Sequence, residues 1–195
     1  MNPNLVFLTI VLADVLIAPG DLHTFDPRAF KDRIAHLLDR AGLGYLPAVG
    51  GIDFALTFWR AQGLTYWQPH LHAIIWCPMG VIAAETMLQQ HAKISELVDR
   101  TIDLRPITGT LSKLIGYTLK SIFWKRLPYI SEKTGNHCAD QERLPIWATR
   151  ELAMYLDSIR IESRQFRKNV EWHDGRLRTS AEALAWCREY RSDDR

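Results

Sequence analysis

Gln68-Pro69-His70-Leu71-His72-Ala73-Ile74-Ile75-Trp76 is the stretch whose reading decides the fold. A short apolar run with a β-branched pair predicts a strand. In extended backbone, side chains at i and i+2 share a face. His70 and His72 therefore project together, and Leu71 projects the other way, into a core. Two imidazoles on one face serve either as half of a divalent-metal site or as a structural pair.

The neighbouring segments extend this strand into a sheet. Gly50-Gly51 precede an expected strand over residues 52–59. Ile52, Phe54, Leu56 and Phe58 face one way, and Asp53, Ala55 and Thr57 the other. Gln62-Gly63 returns the chain, so the two strands are expected to pair as a hairpin. Asp53 then lies near the two histidines where the register allows. Gln68 shares the histidine face but stands at the expected strand entrance. Upstream, residues 5–12 predict a strand buried on both faces. Asp26-Pro27 is an N-cap and first position for a helix ending at Arg40, before Gly42 and Gly44. Downstream, helices are expected over 81–99, 110–124 and 147–161, with a short strand at 101–104 and a loop over 128–146. Asp174-Gly175 marks a turn, and Ser180 caps a last helix over 181–191.

Composition sets bounds on this scheme. The chain has 195 residues, 47% hydrophobic and 24% charged, which fits one globular unit with a core of its own. The net charge of +2 conceals an asymmetry. Residues 100–170 carry 13 Lys and Arg against 7 Asp and Glu; the rest carries 11 against 15. A basic segment fits either a polyanionic partner or a solvated surface. Three cysteines, Cys77, Cys138 and Cys187, form neither a disulfide framework nor a zinc pattern, so a cytoplasmic setting is expected. The apolar run between Leu5 and Ile17 lacks a basic lead and is too short to span a bilayer, so no membrane partner is expected.

The segment 110–124 carries a second signal. At 100° per residue, Leu111, Leu114, Ile115, Leu119 and Ile122 cover one helix face. Lys113, Tyr117, Lys120 and Trp124 form a stripe opposite. Tyr117 and Lys120, at i and i+3, are neighbours there. A phenol with a lysine one turn away suits phosphate chemistry, since the ammonium lowers the phenol pKa or holds a phosphate. It also fits an ordinary surface tyrosine.

Taken in order, Phe7-Leu8-Thr9, then Pro69-His70-Leu71-His72, then Tyr117-Thr118-Leu119-Lys120 resembles the HUH (His-hydrophobic-His) single-strand DNA endonucleases, and within them the rolling-circle replication initiators, or Rep proteins. The resemblance covers roughly residues 5–125. It implies an α+β fold: a central antiparallel sheet flanked by helices, ferredoxin-like or RRM-like, over 1–125. A helical extension over 126–195 is expected to pack on it. It implies that His70, His72 and a third ligand hold Mg²⁺ or Mn²⁺, while Tyr117, assisted by Lys120, attacks a phosphate of single-stranded DNA to leave a 5′-phosphotyrosine and a free 3′-OH. Family members commonly carry Glu or Gln as third ligand. Here Asp53 is the candidate and Gln68 the weaker one. Lys113, Trp124, Arg164, Arg167 and Lys168 are the candidate DNA contacts. A single tyrosine is similar to plasmid Reps, and with no Gly-rich phosphate loop, unwinding would fall to a separate helicase. A transposase with the same chemistry, a non-cleaving single-strand binder and a simple metal-dependent hydrolase are the alternatives.

Overall fold

The computed structural model describes residues 4–60, 62–93, 95, 97–98, 100–108, 123–134 and 137–192. Its centre is a long hairpin. Strand β2 (Ala48–Trp59) and strand β3 (Leu64–Trp76) pair antiparallel along their whole length, from Ala48 opposite Ile75 to Trp59 opposite Leu64. The turn between them uses Gly63 at φ +63°, a left-handed conformation that only glycine adopts freely. Strand β1 (Leu5–Val11) pairs antiparallel with the other edge of β3, and β4 (Ile102–Pro106) pairs antiparallel with β1.

The second edge of β2 is divided. Its first half, Ala48 to Gly51, pairs with β7 (Gln165–Lys168). Its second half, Leu56 and Thr57, pairs in parallel with β5 (Trp124–Ile130). Strand β6 (His137–Arg143) closes the far side of β5. The path β4-β1-β3-β2-β5-β6, with β7 beside β2, makes a seven-stranded, mostly antiparallel sheet. A small hairpin, β8 (Val170–His173) with β9 (Arg176–Thr179), stands apart and turns at Asp174-Gly175.

One face of this sheet is apolar and carries the core. Val6, Leu8 and Ile10 of β1, Ile52, Phe54 and Leu56 of β2, and Leu71, Ala73 and Ile75 of β3 are all buried in one cluster. Helix α1 (Pro27–Arg40) adds Phe30, Ile34, Leu37 and Leu38 to it. Its start is fixed as the sequence implies, because Asp26 accepts from the backbone N–H of Arg28 and Ala29. Helix α2 (Val81–Gln89) adds Ala84 and Leu88, and α3 (Ile146–Ser158) adds Ala148, Leu152 and Tyr155. Phe54 and Tyr155 meet edge to face at 5.5 Å. A single helical turn, α4 (Ile161–Arg164), leads into β7, and α5 (Ala181–Ser192) ends the described chain, with Ser180 Oγ accepting from Ala183 N–H.

The α+β class holds, and several sequence expectations are corrected. Strand β1 is not buried on both faces: Phe7 and Thr9 point to the second face and are half-buried. The helix expected over 81–99 stops at Gln89, where Ser95 and Val98 bridge across a turn instead. Trp124 does not close a helix. It opens β5 opposite Arg143, because pairing with β6 satisfies its backbone in extended form. The expected loop over 128–146 is largely the β5–β6 hairpin. Pro128 is tolerated there because only Lys125 and Arg126 pair with β2, which leaves it beyond that ladder. The segment 126–195 is therefore not a helical extension. It contributes most of β5 together with β6 and β7 to the central sheet, and the boundary placed after residue 125 falls inside β5. Among the described residues, no helix is long and apolar enough to cross a membrane.

Candidate metal and nucleic-acid site

The second face of the sheet is polar, and the register decides what meets on it. Directly opposed residues of an antiparallel pair share a face. Asp53 lies opposite His70. His72 lies opposite Thr9, and Thr9 lies opposite Asp103 of β4. Gln68 lies opposite Ala55, and Thr57 is paired with Arg126 of β5. So Asp103, Thr9, His72, His70, Asp53, Gln68, Thr57 and Arg126 stand on one continuous surface. Asp53 is 4% exposed, His70 5% and His72 6%, so these three side chains are buried and their polar groups need partners.

Those partners are specific. Thr9 Oγ1 and His72 Nδ1 are 3.0 Å apart, and His72 Nε2 stands 3.6 Å from Asp53 Oδ2. Phe7 stacks on the His72 ring with centroids 5.6 Å apart, and the His70 and His72 rings lie nearly parallel at 5.9 Å. The Thr9 contact at Nδ1 holds the His72 ring with Nε2 turned towards Asp53. That is the outer-sphere device by which metal-binding histidines are oriented. Arg126 Nη1 lies 3.3 Å from His70 Nε2. A guanidinium only donates, so His70 accepts at Nε2 and carries its proton on Nδ1.

A six-coordinate cation with ligand bonds of about 2.1 Å holds adjacent donors about 3.0 Å apart, so Asp53 Oδ2 and His72 Nε2, 3.6 Å apart, would close by about 0.6 Å to share one. His70, directly across the ladder from Asp53, is engaged by Arg126. Among the described residues, no three His, Cys, Asp or Glu side chains converge tightly enough to hold a metal ion as they stand. Gln68 is not at the strand entrance. It lies four residues inside β3, where Thr57 Oγ1 donates to its Oε1 at 3.5 Å.

Beside these groups lies a cleft of about 380 Å³ between the β1–β4 edge and the β5–β6 hairpin. Thr9, His70 and Gln68 form its floor, and Arg100, Arg105 and Arg126 stand on its walls. Asp103 binds Arg100 at 2.9 Å and Arg105 at 2.8 Å. Trp59 and Tyr66 both donate to Leu97 O, which fixes the loop at one end of the cleft.

The other sequence candidates are scattered. Arg164 is turned inward: its Nε donates to Ile52 O at 3.1 Å and its guanidinium lies over the Phe123 ring. Desolvation lowers its pKa, and the nearby Asp53 carboxylate opposes that shift. Arg164 thus ties α4 to the strand that carries Asp53. Arg167 is exposed on β7, and Lys168 pairs with Asp39 at 2.9 Å. Trp124 sits at the start of β5. Lys113, Tyr117 and Lys120 lie outside the described residues. Thr9 and Arg126 had no role assigned from sequence. The first stood within Phe7-Leu8-Thr9, and the second was hidden by reading its surroundings as helix and loop.

No protein-family model, curated protein or solved structure matches this chain.

Proposed function

We propose that the chain nicks and rejoins single-stranded DNA through a tyrosine, as an HUH-type initiator of rolling-circle replication for a plasmid or virus. The observation that supports this best is the register of β2 on β3. It brings Asp53 across from His70, on the same buried face as His72, with Thr9 orienting His72. A shift of one residue would send Asp53 into the apolar core.

Asp53, His70 and His72 would hold Mg²⁺ or Mn²⁺, which supplies a Lewis acid for a phosphoryl oxygen. Tyr117 is the nucleophile. Its phenolic oxygen bonds to phosphorus as the bond from phosphorus to the 3′ oxygen breaks. The phenol proton is lost and the departing oxygen gains one to become a 3′-OH. The 5′-phosphotyrosine ester conserves the phosphodiester bond, so a 3′-OH reverses the step and rejoins the strand. Lys120, one turn beyond Tyr117 on the expected helix, stabilises the phenolate or holds the phosphate. Unwinding falls to a separate helicase. A transposase would use the same residues and differ only in the DNA it meets.

The test is covalent capture. Labelled origin-like single strands with Mn²⁺ should give an adduct that survives denaturation. Tyr117→Phe should abolish it, and His70→Ala with His72→Ala should reduce it to background. An undiminished adduct with Tyr117→Phe refutes the mechanism.

A further inference from the structure

Arg126 is placed unlike the other arginines of the cleft. Arg100 is bound by Glu85 and Asp103, and Arg105 by Asp103. Among the described residues, no carboxylate forms an ion pair with Arg126. Its hydrogen bond instead reaches His70 Nε2 at 3.3 Å. A guanidinium offers five donors in a rigid fork, matched to phosphate rather than to a single imidazole nitrogen. Its strand position is secure, because Arg126 pairs with Thr57 on one side and Gln141 on the other. The side chain therefore projects from a fixed base at the edge of a cleft of about 380 Å³, with His70 among the cleft's lining residues.

We infer that Arg126 is the phosphate-positioning residue of this cleft, and that it occupies His70 Nε2 only until an anionic strand and a cation arrive. A cation and the guanidinium compete for one lone pair. A phosphate oxygen draws the guanidinium away from His70, which frees the nitrogen. Strand binding and cation binding are thereby linked through a single side chain. The inference rests on the nucleic-acid reading of the cleft, but not on strand cleavage.

Two measurements without turnover test it. The first is fluorescence anisotropy of a labelled oligothymidylate in EDTA, over a range of salt. The second is Mn²⁺ titration of the DNA-free protein, followed by electron paramagnetic resonance of the free ion. Arg126→Gln should weaken strand binding about tenfold, the loss of one charge-assisted contact. It should flatten the salt slope by about 0.7, the value for one phosphate on a single strand. The same variant should bind Mn²⁺ at least as tightly as the parent, since the competitor is gone. Arg126→Lys, which keeps the charge and guards against lost folding, should recover part of the strand affinity. Strand affinity within twofold of the parent in Arg126→Gln overturns the inference. So does weaker Mn²⁺ binding by that variant, or a lysine variant of parental melting temperature that binds no better than the glutamine one. A parent that binds strand and Mn²⁺ in this linked pattern yet forms no covalent adduct supports the role of Arg126 while removing the nicking reading.

Discussion

Gly50→Ala should damage the site from within the sheet. Gly50 pairs with Ala73 on β3, one residue from His72, and its other side pairs with Phe166 of β7. A Cβ placed there meets His72 O and stands 2.6 Å from Ala73 Cα and 2.7 Å from Ala73 Cβ. Carbon atoms sit comfortably at about 3.5–4.0 Å. Relief therefore needs β2 and β3 to separate by about 1 Å, in a ladder whose strands are about 4.8 Å apart. The obstacle is backbone, so no rotamer change absorbs it. Overpacking of this kind costs about 1–3 kcal/mol, and we expect the upper half of that range because β7 blocks retreat on the other side. Urea unfolding, at a slope of about 2 kcal/mol/M, should show the midpoint falling by about 1 M. Mn²⁺ affinity should fall by about tenfold or more, since the movement separates Asp53 from His72. Gly44→Ala is the control: its Cβ meets Asp39 Oδ1, the end of an exposed side chain, and should be milder. A Gly50→Ala protein with parental midpoint and parental Mn²⁺ affinity would refute the reasoning about β2–β3 approach.

Other outcomes follow from single contacts. Thr9→Val keeps the shape but removes the partner of His72 Nδ1, and should weaken Mn²⁺ binding about tenfold by titration, with little change in melting temperature. Glu151→Ala should destabilise by about 3 kcal/mol in urea. Its carboxylate accepts from Gly20 N–H at 2.8 Å, Leu22 N–H at 3.0 Å and the buried Trp67 Nε1 at 3.0 Å, and water can replace it only at the exposed turn. Asp14, bound by Lys93 and Arg33, has its pKa lowered to about 2 from 3.8, with the Lys93 hydrogen bond the largest cause. Its stabilisation is present above pH 3.8 and is lost as pH falls towards 2. Because the pair is well exposed, about 1 kcal/mol is the expected size, and Asp14→Asn should flatten the acid limb of a stability–pH curve by that amount.

The hairpin that carries the site was legible because alternation is a local signal. Ile52, Phe54 and Leu56 are apolar on one side, Asp53 and Thr57 polar on the other, and the short turn leaves one way to pair the strands. Helix α1 was legible for a similar reason, since Asp26, Pro27 and the glycines mark both ends. The C-terminal third was not. Trp124 to Ile130 contains a proline and two cations, and nothing local says that Lys125 and Arg126 lie against β2. Strand β7 is four residues long and borrows its structure from Ala48 to Gly51, over a hundred positions earlier. Arg164 is a candidate DNA contact by sequence because a sequence gives charge without direction, whereas its Nε donates to Ile52 O. Arg126 was overlooked for the matching reason, a long-range approach to His70 that local pattern does not encode.

A tyrosine nucleophile of the kind proposed for this polar face makes a covalent bond to DNA, and that bond can be located in the chain. The protein is incubated with a single-stranded origin-like oligonucleotide and Mn²⁺, digested with trypsin and nuclease, and read by mass spectrometry. The peptide between Lys113 and Lys120, Leu-Ile-Gly-Tyr-Thr-Leu-Lys, should carry a 5′-linked nucleotide on Tyr117, and the mass should be absent when Asp53→Ala or His72→Ala protein is used. A nucleotide on any other residue, or strand scission with no linked peptide, would contradict the account.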